Sequence, residues 1–169
     1  TILVTGGTGS FGQTFIPMTL DKYKPKKVII FSRDEMKQWE MAKLFSQDDR
    51  VRFFIGDVRD RERLKLATKK VDIIIHAAAL KQVPASEYNP FEAVKTNIIG
   101  GQNVIDAAMA QGVKRVIALS TDKAVNPIGV MGATKLLAEK LLAAEAGKNK
   151  SKIIFASVRF GNVFHTRAV

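Results

Sequence analysis

Apolar residues in this chain fall into short, nearly continuous runs, separated by longer stretches of mixed polarity. The runs occupy residues 2–5, 27–31, 51–55, 72–76, 115–119 and 152–158. They are rich in Val, Ile and Phe and alternate little, as expected of strands covered on both faces of a parallel sheet. Helical spacing between them predicts helices near 10–21, 34–46, 60–70, 90–111 and 130–147. End signals agree with these bounds. Asp60 suits an N-cap, Pro90 suits a first helical turn, and Gly112 and Gly147 suit helix stops. Strand and helix alternate, and such crossovers are right-handed. The fold class is therefore α/β, a doubly wound parallel sheet of the Rossmann type, with six strands enough for the order 3-2-1-4-5-6. Residues 1–169 read as one domain without repeat, low-complexity tract or linker. In the last helix Leu136, Leu137, Leu141 and Leu142 cover more than one narrow stripe. One face packs on the sheet, and the remainder predicts a partner helix and a homo-oligomer.

The first apolar run leads directly into Thr5-Gly-Gly-Thr-Gly-Ser-Phe-Gly12, and a helical pattern begins near Ser10. Strand, glycine turn and helix start together make the phosphate cradle of a dinucleotide-binding fold. Gly6 permits the tight turn. Gly9 lets backbone amides approach a pyrophosphate, and Gly12 lets the helix lie close on the strand. Free amides and the positive dipole at the helix start favour the anion.

Composition narrows the picture. With 169 residues, 46% of them hydrophobic, the chain has material for one domain with a proper core. No apolar run is long enough to span a bilayer and no signal peptide is visible, so a cytoplasmic location fits best. The sequence starts inside a strand without Met, which suggests that its true N-terminus is missing. Without cysteine there are no disulfides and no thiolate metal sites, and two isolated histidines, His76 and His165, predict no metal site. The net charge of +11 raises the question of nucleic acid. Lys22, Lys24, Lys26 and Lys27 cluster in one loop, however, and Arg50, Arg52, Arg59, Arg61 and Arg63 are interleaved with acidic residues. No basic stripe with stacking aromatics is present, so the charge is read as a solvated surface that attracts small anionic ligands.

Ligands bind outside the C-terminal strand ends of such sheets. Strand two ends in Phe31-Ser-Arg-Asp34. Ser32 and Arg33 stand where an NAD site usually offers a carboxylate, and Lys37 follows one turn later. Arginine suits a 2′-phosphate, which favours NADP over NAD, while Asp34 suits a helix cap. Asp57, after strand three, has two readings: an acceptor for the adenine amino group, or a turn aspartate bonding local amides. After strand four, Ala77, Ala78 and Ala79 are small enough to let a flat cofactor approach. His76 reads as a satisfied core residue, and Lys81 as a contact for an anionic substrate or for solvent. Strand five leads into Ser120-Thr-Asp-Lys123, a hydroxyl, a carboxylate and an ammonium where a nicotinamide arrives. Lys135, one turn after Met131, is placed to hold a nicotinamide ribose hydroxyl and to alter nearby proton affinities. Asp122 and Lys123 read either as an acid–base pair or as a loop salt bridge.

These segments resemble the extended short-chain dehydrogenase/reductase superfamily, and within it the UDP-N-acetylglucosamine 4,6-dehydratases, particularly the C5-inverting type of bacterial polysaccharide and flagellin-sugar pathways. The residues that carry the likeness are TGGTGSFG at 5–12, FSRDEMKQ at 31–38, FIGDVRD at 54–60 and HAAALKQVP at 76–84. They continue with AVKTNIIG at 93–100, STDKAVNP at 120–127, MGATK at 131–135 and RFGNV at 159–163. The resemblance implies that NADP is held by Gly6, Thr8, Gly9, Ser10, Phe11, Gly12, Ser32, Arg33, Lys37, Asp57, Val58, Ala77, Ala78, Ala79, Lys81, Asn97, Ser120 and Lys135. It implies a UDP-sugar substrate met by Lys81, Met131 and Asn162, with Arg159 supporting that loop.

The superfamily normally carries Tyr-x-x-x-Lys, whereas the tyrosine slot here is Met131. A thioether cannot move a proton, so a simple alcohol dehydrogenase is disfavoured, and some members of the dehydratase branch carry Met in that slot. The resemblance implies a bound cofactor that takes hydride from sugar C4 and returns it to C6, with loss of the C6 hydroxyl between and inversion at C5. Asp122 is then the acid for the departing hydroxyl, Lys123 the base at C5, and Thr121 the group that orients the sugar oxygen near C4. A C5-retaining dehydratase or a 4-epimerase is the nearer alternative, and a non-catalytic NADP-binding module is the farther one. Related enzymes are about twice this long, and Phe164-His-Thr-Arg-Ala-Val169 departs from their pattern.

Overall fold

A computed structural model describes residues 1–148 and 152–162. The six apolar runs become β1 (Ile2–Thr5), β2 (Val28–Ser32), β3 (Val51–Ile55), β4 (Ile73–His76), β5 (Arg115–Thr121) and β6 (Ile154–Phe160). They form one sheet in the order β3-β2-β1-β4-β5-β6, all paired in parallel. Thr5 is level with Phe31 on one side and His76 on the other, and His76 is level with Ala118. The loops after these strands therefore open on one edge of the sheet. Consecutive residues of a strand face opposite sides, and the core divides accordingly. Leu3, Phe31, Ile74 and Val116 pack with Leu64, Val104, Ala107 and Ala108. Val4, Ile30 and Ile75 pack on the other side with Ile16, Leu20 and Met41.

The helices are α1 (Ser10–Lys22), α2 (Glu35–Leu44), α3 (Arg61–Ala67), α4 (Val83–Tyr88), α5 (Pro90–Ala93), α6 (Gly100–Gln111) and α7 (Val130–Gly147). Asp34 caps α2 by accepting from Lys37 N at 3.0 Å, and Asp60 caps α3 by accepting from Arg63 N at 2.9 Å. Gly112 ends α6 in the left-handed region at φ 66°. Leu142 packs inward at 5% exposure, whereas Leu137 is 46% exposed, so the leucines of α7 do divide between two faces. No helix among the described residues is long and apolar enough to cross a membrane.

Three expectations change. The single helix predicted over 90–111 is interrupted by a π-helical turn, Val94–Ile99, between α5 and α6. The wider turn lies where Asn97 bonds the backbone of Leu80, and such π-turns often mark functional positions. The six residues of α4 were not predicted, because a segment so short shows no helical period. β6 runs two residues past its predicted end and β5 extends to Thr121, so these strands carry their loops further out than the apolar pattern alone suggests. His165 and the divergent segment after Asn162 lie outside the described residues.

Candidate active site

The glycine loop between β1 and α1 is shaped by close backbone approaches. Gly6 has φ +65°, and a Cβ there would stand 2.8 Å from the backbone of Ala78. A Cβ on Gly12 would stand 1.9 Å from the carbonyl oxygen of Gly7, so only glycine lets α1 begin this close to the turn. Gly9 is different. The nearest atom to its Cβ position is the Gly6 oxygen at 3.2 Å, a tight but far milder approach than at Gly6 or Gly12. Gly9 is also the N-cap of α1, without a side-chain cap and without an acidic residue in the first turn. The helix thus presents uncapped amides and no competing negative charge, the arrangement that binds an anion. Thr8 is buried, its Oγ1 2.8 Å from Ser32 Oγ, and Phe11 stacks on Phe15 with ring centres 4.9 Å apart. Ser10 is half-buried in the first turn.

The ends of β2 and β3 flank this loop. Arg33 is 57% exposed, with Nη1 3.6 Å from Asp57 Oδ2. Asp57 also pairs with Arg59 at 2.7 Å and accepts from Arg59 N at 3.0 Å. Burial opposes its ionisation, but the Arg59 hydrogen bonds outweigh it and hold the carboxyl below its usual range. Lys37 pairs with Asp34 at 3.0 Å. Val58 is buried against Gly100, where a Cβ would meet Val58 Cγ2 at 2.7 Å. Asn103 on α6 ties the loop down by donating to Val58 O at 3.0 Å and Arg59 O at 3.1 Å.

Farther along the same edge, the ends of β4, β5 and β6 meet α7. Ala77 passes beside Gly6, and Ala77, Ala78 and Ala79 are half-buried, while Lys81 is exposed. Asn97, 2% exposed, accepts from Leu80 N at 2.8 Å and donates to Leu80 O at 3.0 Å and to Thr134 Oγ1 at 2.9 Å. It thereby locks the loop after β4 to α7. A 3-10 turn, Asp122–Ala124, follows β5. It rests on Gly132, where a Cβ would stand 2.4 Å from Lys123 O. Thr121 Oγ1 donates to Asp122 Oδ1 at 2.9 Å, and Lys123 Nζ lies 3.4 Å from both Asp122 Oδ1 and Asn162 Oδ1. The Thr121 hydroxyl first, and Lys123 after it, hold the Asp122 carboxyl below its usual range. Lys135 donates to Leu119 O at 2.8 Å, and burial lowers its pKa to about 8. His76 sits between the two ends of the edge, its Nδ1 2.7 Å from Thr5 Oγ1. Burial and then the charge of Lys135 lower its pKa to about 3, as expected of a neutral core histidine.

Comparison with known proteins agrees with this geometry. The family described as polysaccharide biosynthesis protein matches residues 2–168. The chain belongs to that family. Over 169 residues it is 56% identical to a UDP-N-acetylglucosamine 4,6-dehydratase (inverting) of Campylobacter jejuni, covering 98% of this chain and 50% of the relative. It is 48% identical over 171 residues to a UDP-glucose 4-epimerase of Rickettsia bellii, covering 99% of this chain and 50% of that one. The X-ray structure of Pen from Bacillus thuringiensis superimposes with a TM-score of 0.95 at 46% identity, covering 99% of this chain and 52% of that one. The chain spans about half the length of the curated relatives it matches. The resemblance drawn from the motifs and the doubly wound fold are both borne out.

In this family member the sequence-predicted residues divide into two groups along the sheet edge. Gly6 to Gly12, Ser32, Arg33, Lys37, Asp57 and Val58 stand at the ends of β1, β2 and β3. Thr121, Asp122, Lys123, Lys135, Asn97 and Asn162 stand together at the ends of β4 to β6. Met131 is 5% exposed, which leaves its side chain little surface to offer a sugar. Both alternative readings of the loop residues have counterparts here: Asp57 bonds a local amide, and Asp122 pairs with Lys123. Sequence reasoning missed Asn103, Glu87 and Glu139. Glu87 Oε1 accepts from Val130 N at 2.6 Å at the start of α7. Glu139 bonds Ser120 and Arg159, and its spacing of four from Lys135 puts it on the same helix face without showing either partner. Among the described residues no group of three or more His, Cys, Asp or Glu is placed to hold a metal ion.

Proposed function

We propose that the chain is the cofactor-binding part of an NADP-dependent UDP-N-acetylglucosamine 4,6-dehydratase, a lyase that inverts C5 and serves polysaccharide or glycan sugar synthesis in the cytoplasm. The observation that carries this reading is the exposed Thr121-Asp122-Lys123 turn next to the buried Lys135, with Met131 in the tyrosine slot. The cradle fits a dinucleotide: Gly9, which carries no side chain, and the uncapped start of α1 accept phosphates, and Arg33 and Lys37 supply charge for a 2′-phosphate. When bound, the nicotinamide supplies a reversible hydride acceptor. Lys135 holds the ribose hydroxyl beside it, and Thr121 orients the sugar oxygen at C4. Lys123 takes the C5 proton and Asp122 gives a proton to the hydroxyl leaving C6. The free Asp122 carboxyl is held ionised by Thr121, so its acid role needs a substrate that covers the turn and raises its pKa by excluding water. The UDP-sugar is met by Lys81 and Asn162. The outward leucine of α7 supports a homo-oligomer, to be tested by sedimentation at micromolar concentration.

The 48% likeness to a UDP-glucose 4-epimerase keeps a second reading open, that of a nucleotide-sugar 4-epimerase. One experiment separates the two. The full-length protein is incubated with UDP-N-acetylglucosamine in deuterated water and the sugar is followed by proton NMR. The dehydratase gives a 4-keto-6-deoxy product with deuterium at an inverted C5. An epimerase gives the C4 epimer with no deuterium at C5, and that result overturns the proposal.

A further inference from the structure

Below the end of β5, three elements meet on one carboxylate. Glu139 lies one turn beyond Lys135 on α7. It accepts from Ser120 Oγ on β5. It also accepts from Arg159 on β6, from Nε at 2.9 and 3.0 Å and from Nη2 at 2.5 Å. The Glu139 side chain is 11% exposed, against 42% for Arg159. Glu139 and Lys135 line one cavity of about 20 Å³, shared with His76, Asn97 and Ser120. Ser120 directly precedes the Thr121-Asp122-Lys123 turn.

We propose that Glu139 is a positioning residue, which keeps Lys135 charged and fixes the β5 end that carries Thr121, Asp122 and Lys123, while Arg159 sets how much of the carboxylate's charge Lys135 feels. The inference rests on the reading of Lys135 and the 121–123 turn as the chemical end of the site. Burial drives Lys135 toward the neutral amine, and Glu139 opposes that drive. The Arg159 hydrogen bonds, more than the Ser120 hydroxyl, hold Glu139 below the usual carboxylate range, so it is ionised at neutral pH. The other titratable groups around Lys135 are accounted for. His76 is neutral on β4, Asp122 and Lys123 pair with each other beyond β5, and Glu87 of α4 bonds the first turn of α7. On this proposal Arg159, by holding the Glu139 carboxylate, and Glu139 itself bias the lysine in opposite senses. If the pair served only to pin α7 to β6, its two halves would have no such opposed effects.

The test uses the full-length protein with carbon-13-labelled lysine. The Lys135 Cε signal is assigned by its loss in Lys135→Met and followed through a pH titration. The wild-type midpoint is expected near 8. Glu139→Gln lowers it by about half a pH unit or more, and the alkaline limb of turnover moves down with it. Arg159→Leu raises the midpoint, and Glu139→Asp restores most of the wild-type value. The proposal is overturned if Glu139→Gln and Arg159→Leu leave the midpoint within about 0.2 of a pH unit, or move it the same way. Should Glu139→Gln not fold, the direction of the Arg159→Leu shift decides. The titration reads out whether or not the protein turns over UDP-N-acetylglucosamine. A shifted midpoint without dehydratase product sinks the activity and leaves this inference. An unshifted midpoint with intact product sinks this inference alone.

Discussion

The two halves of the sheet edge are built by different means. At the ends of β1, β2 and β3 the candidate ligand surface is mostly backbone, shaped by glycines within eight residues of one another and by local caps. At the ends of β4, β5 and β6 it is made of side chains brought together from distant parts of the chain: Asn97, Thr121 to Lys123, Lys135, Glu139 and Arg159. The first half is damaged by adding atoms and the second by removing them. Substitutions in the two halves should therefore separate binding and stability from chemistry.

The largest effect is expected in the second half. The Lys123 side chain is 46% exposed, and among the described residues its ammonium meets Asp122 Oδ1 and Asn162 Oδ1 at 3.4 Å each, so the fold leans on it little. Lys123→Ala should lower turnover of UDP-N-acetylglucosamine by about 100- to 10,000-fold, the usual contribution of a positioned base. Its unfolding free energy should change by less than about 0.5 kcal/mol. Full turnover by Lys123→Ala would remove it as the base.

Gly12→Ala attacks the first half. A Cβ 1.9 Å from a backbone oxygen cannot be met by rotating a side chain, so α1 or the turn must shift. Such overpacking should cost about 3 kcal/mol in urea unfolding, with loss of dinucleotide binding. Gly9→Ala should cost only about 1 kcal/mol and lose phosphate affinity, because its Cβ would meet the Gly6 oxygen at 3.2 Å, a far milder approach than the 1.9 Å at Gly12. Equal stability losses in the two variants would show that the loop is not divided in this way.

Between the halves stands Asn97, whose three hydrogen bonds join the loop after β4 to α7. Asn97→Ala leaves the buried polar groups of Leu80 and Thr134 without this partner, which should cost about 2 kcal/mol of stability. Turnover should fall further than cofactor affinity. A loss in cofactor affinity alone would place Asn97 with the glycine half.

This division also explains what could be read from the sequence. The strand order and the glycine turn were legible because the apolar runs and Gly6, Gly9 and Gly12 act locally and carry their geometry in their spacing. The helix caps Asp34 and Asp60 and the stop at Gly112 were legible for the same reason. The π-turn around Asn97, the support of α7 by Glu87 and the carboxylate shared by Ser120 and Arg159 were not. Each depends on a partner at least 17 residues away, and local periodicity carries no trace of such pairings. The Gly132 contact with Lys123 O is of the same kind, since the glycine answers to a carbonyl from the preceding turn rather than to its own helix.

His76 couples the halves and predicts a pH effect. The buried ring stays neutral down to about 3, whereas an unfolded histidine takes a proton near 6.5. Between those values the unfolded chain binds more protons, so the folded state loses stability as pH falls from about 6.5 toward 3. The slope from this group is at most about 1.4 kcal/mol per pH unit. Urea unfolding at pH 7 and pH 5 should show wild type losing about 2 kcal/mol more than His76→Gln. Equal losses would mean that the ring can take up a proton in place.

The smallest effect is expected at Arg33, and it bears on which dinucleotide the first half prefers. Its guanidinium is 57% exposed and already 3.6 Å from Asp57, which also holds Arg59. A 2′-phosphate would compete with Asp57 for an arginine that water and salt screen, so the gain is limited to about 1 kcal/mol. Arg33→Ala should weaken NADP binding about fivefold and leave NAD binding nearly unchanged, as read by calorimetric titration of the full-length protein at low salt. Raising the salt should shrink the difference, because the remaining discrimination is electrostatic. If both cofactors lose affinity equally, Arg33 supports the loop rather than the phosphate. Any preference for NADP would then have to come from Lys37, whose ammonium is held by the helix cap Asp34 at 3.0 Å and would have to leave it.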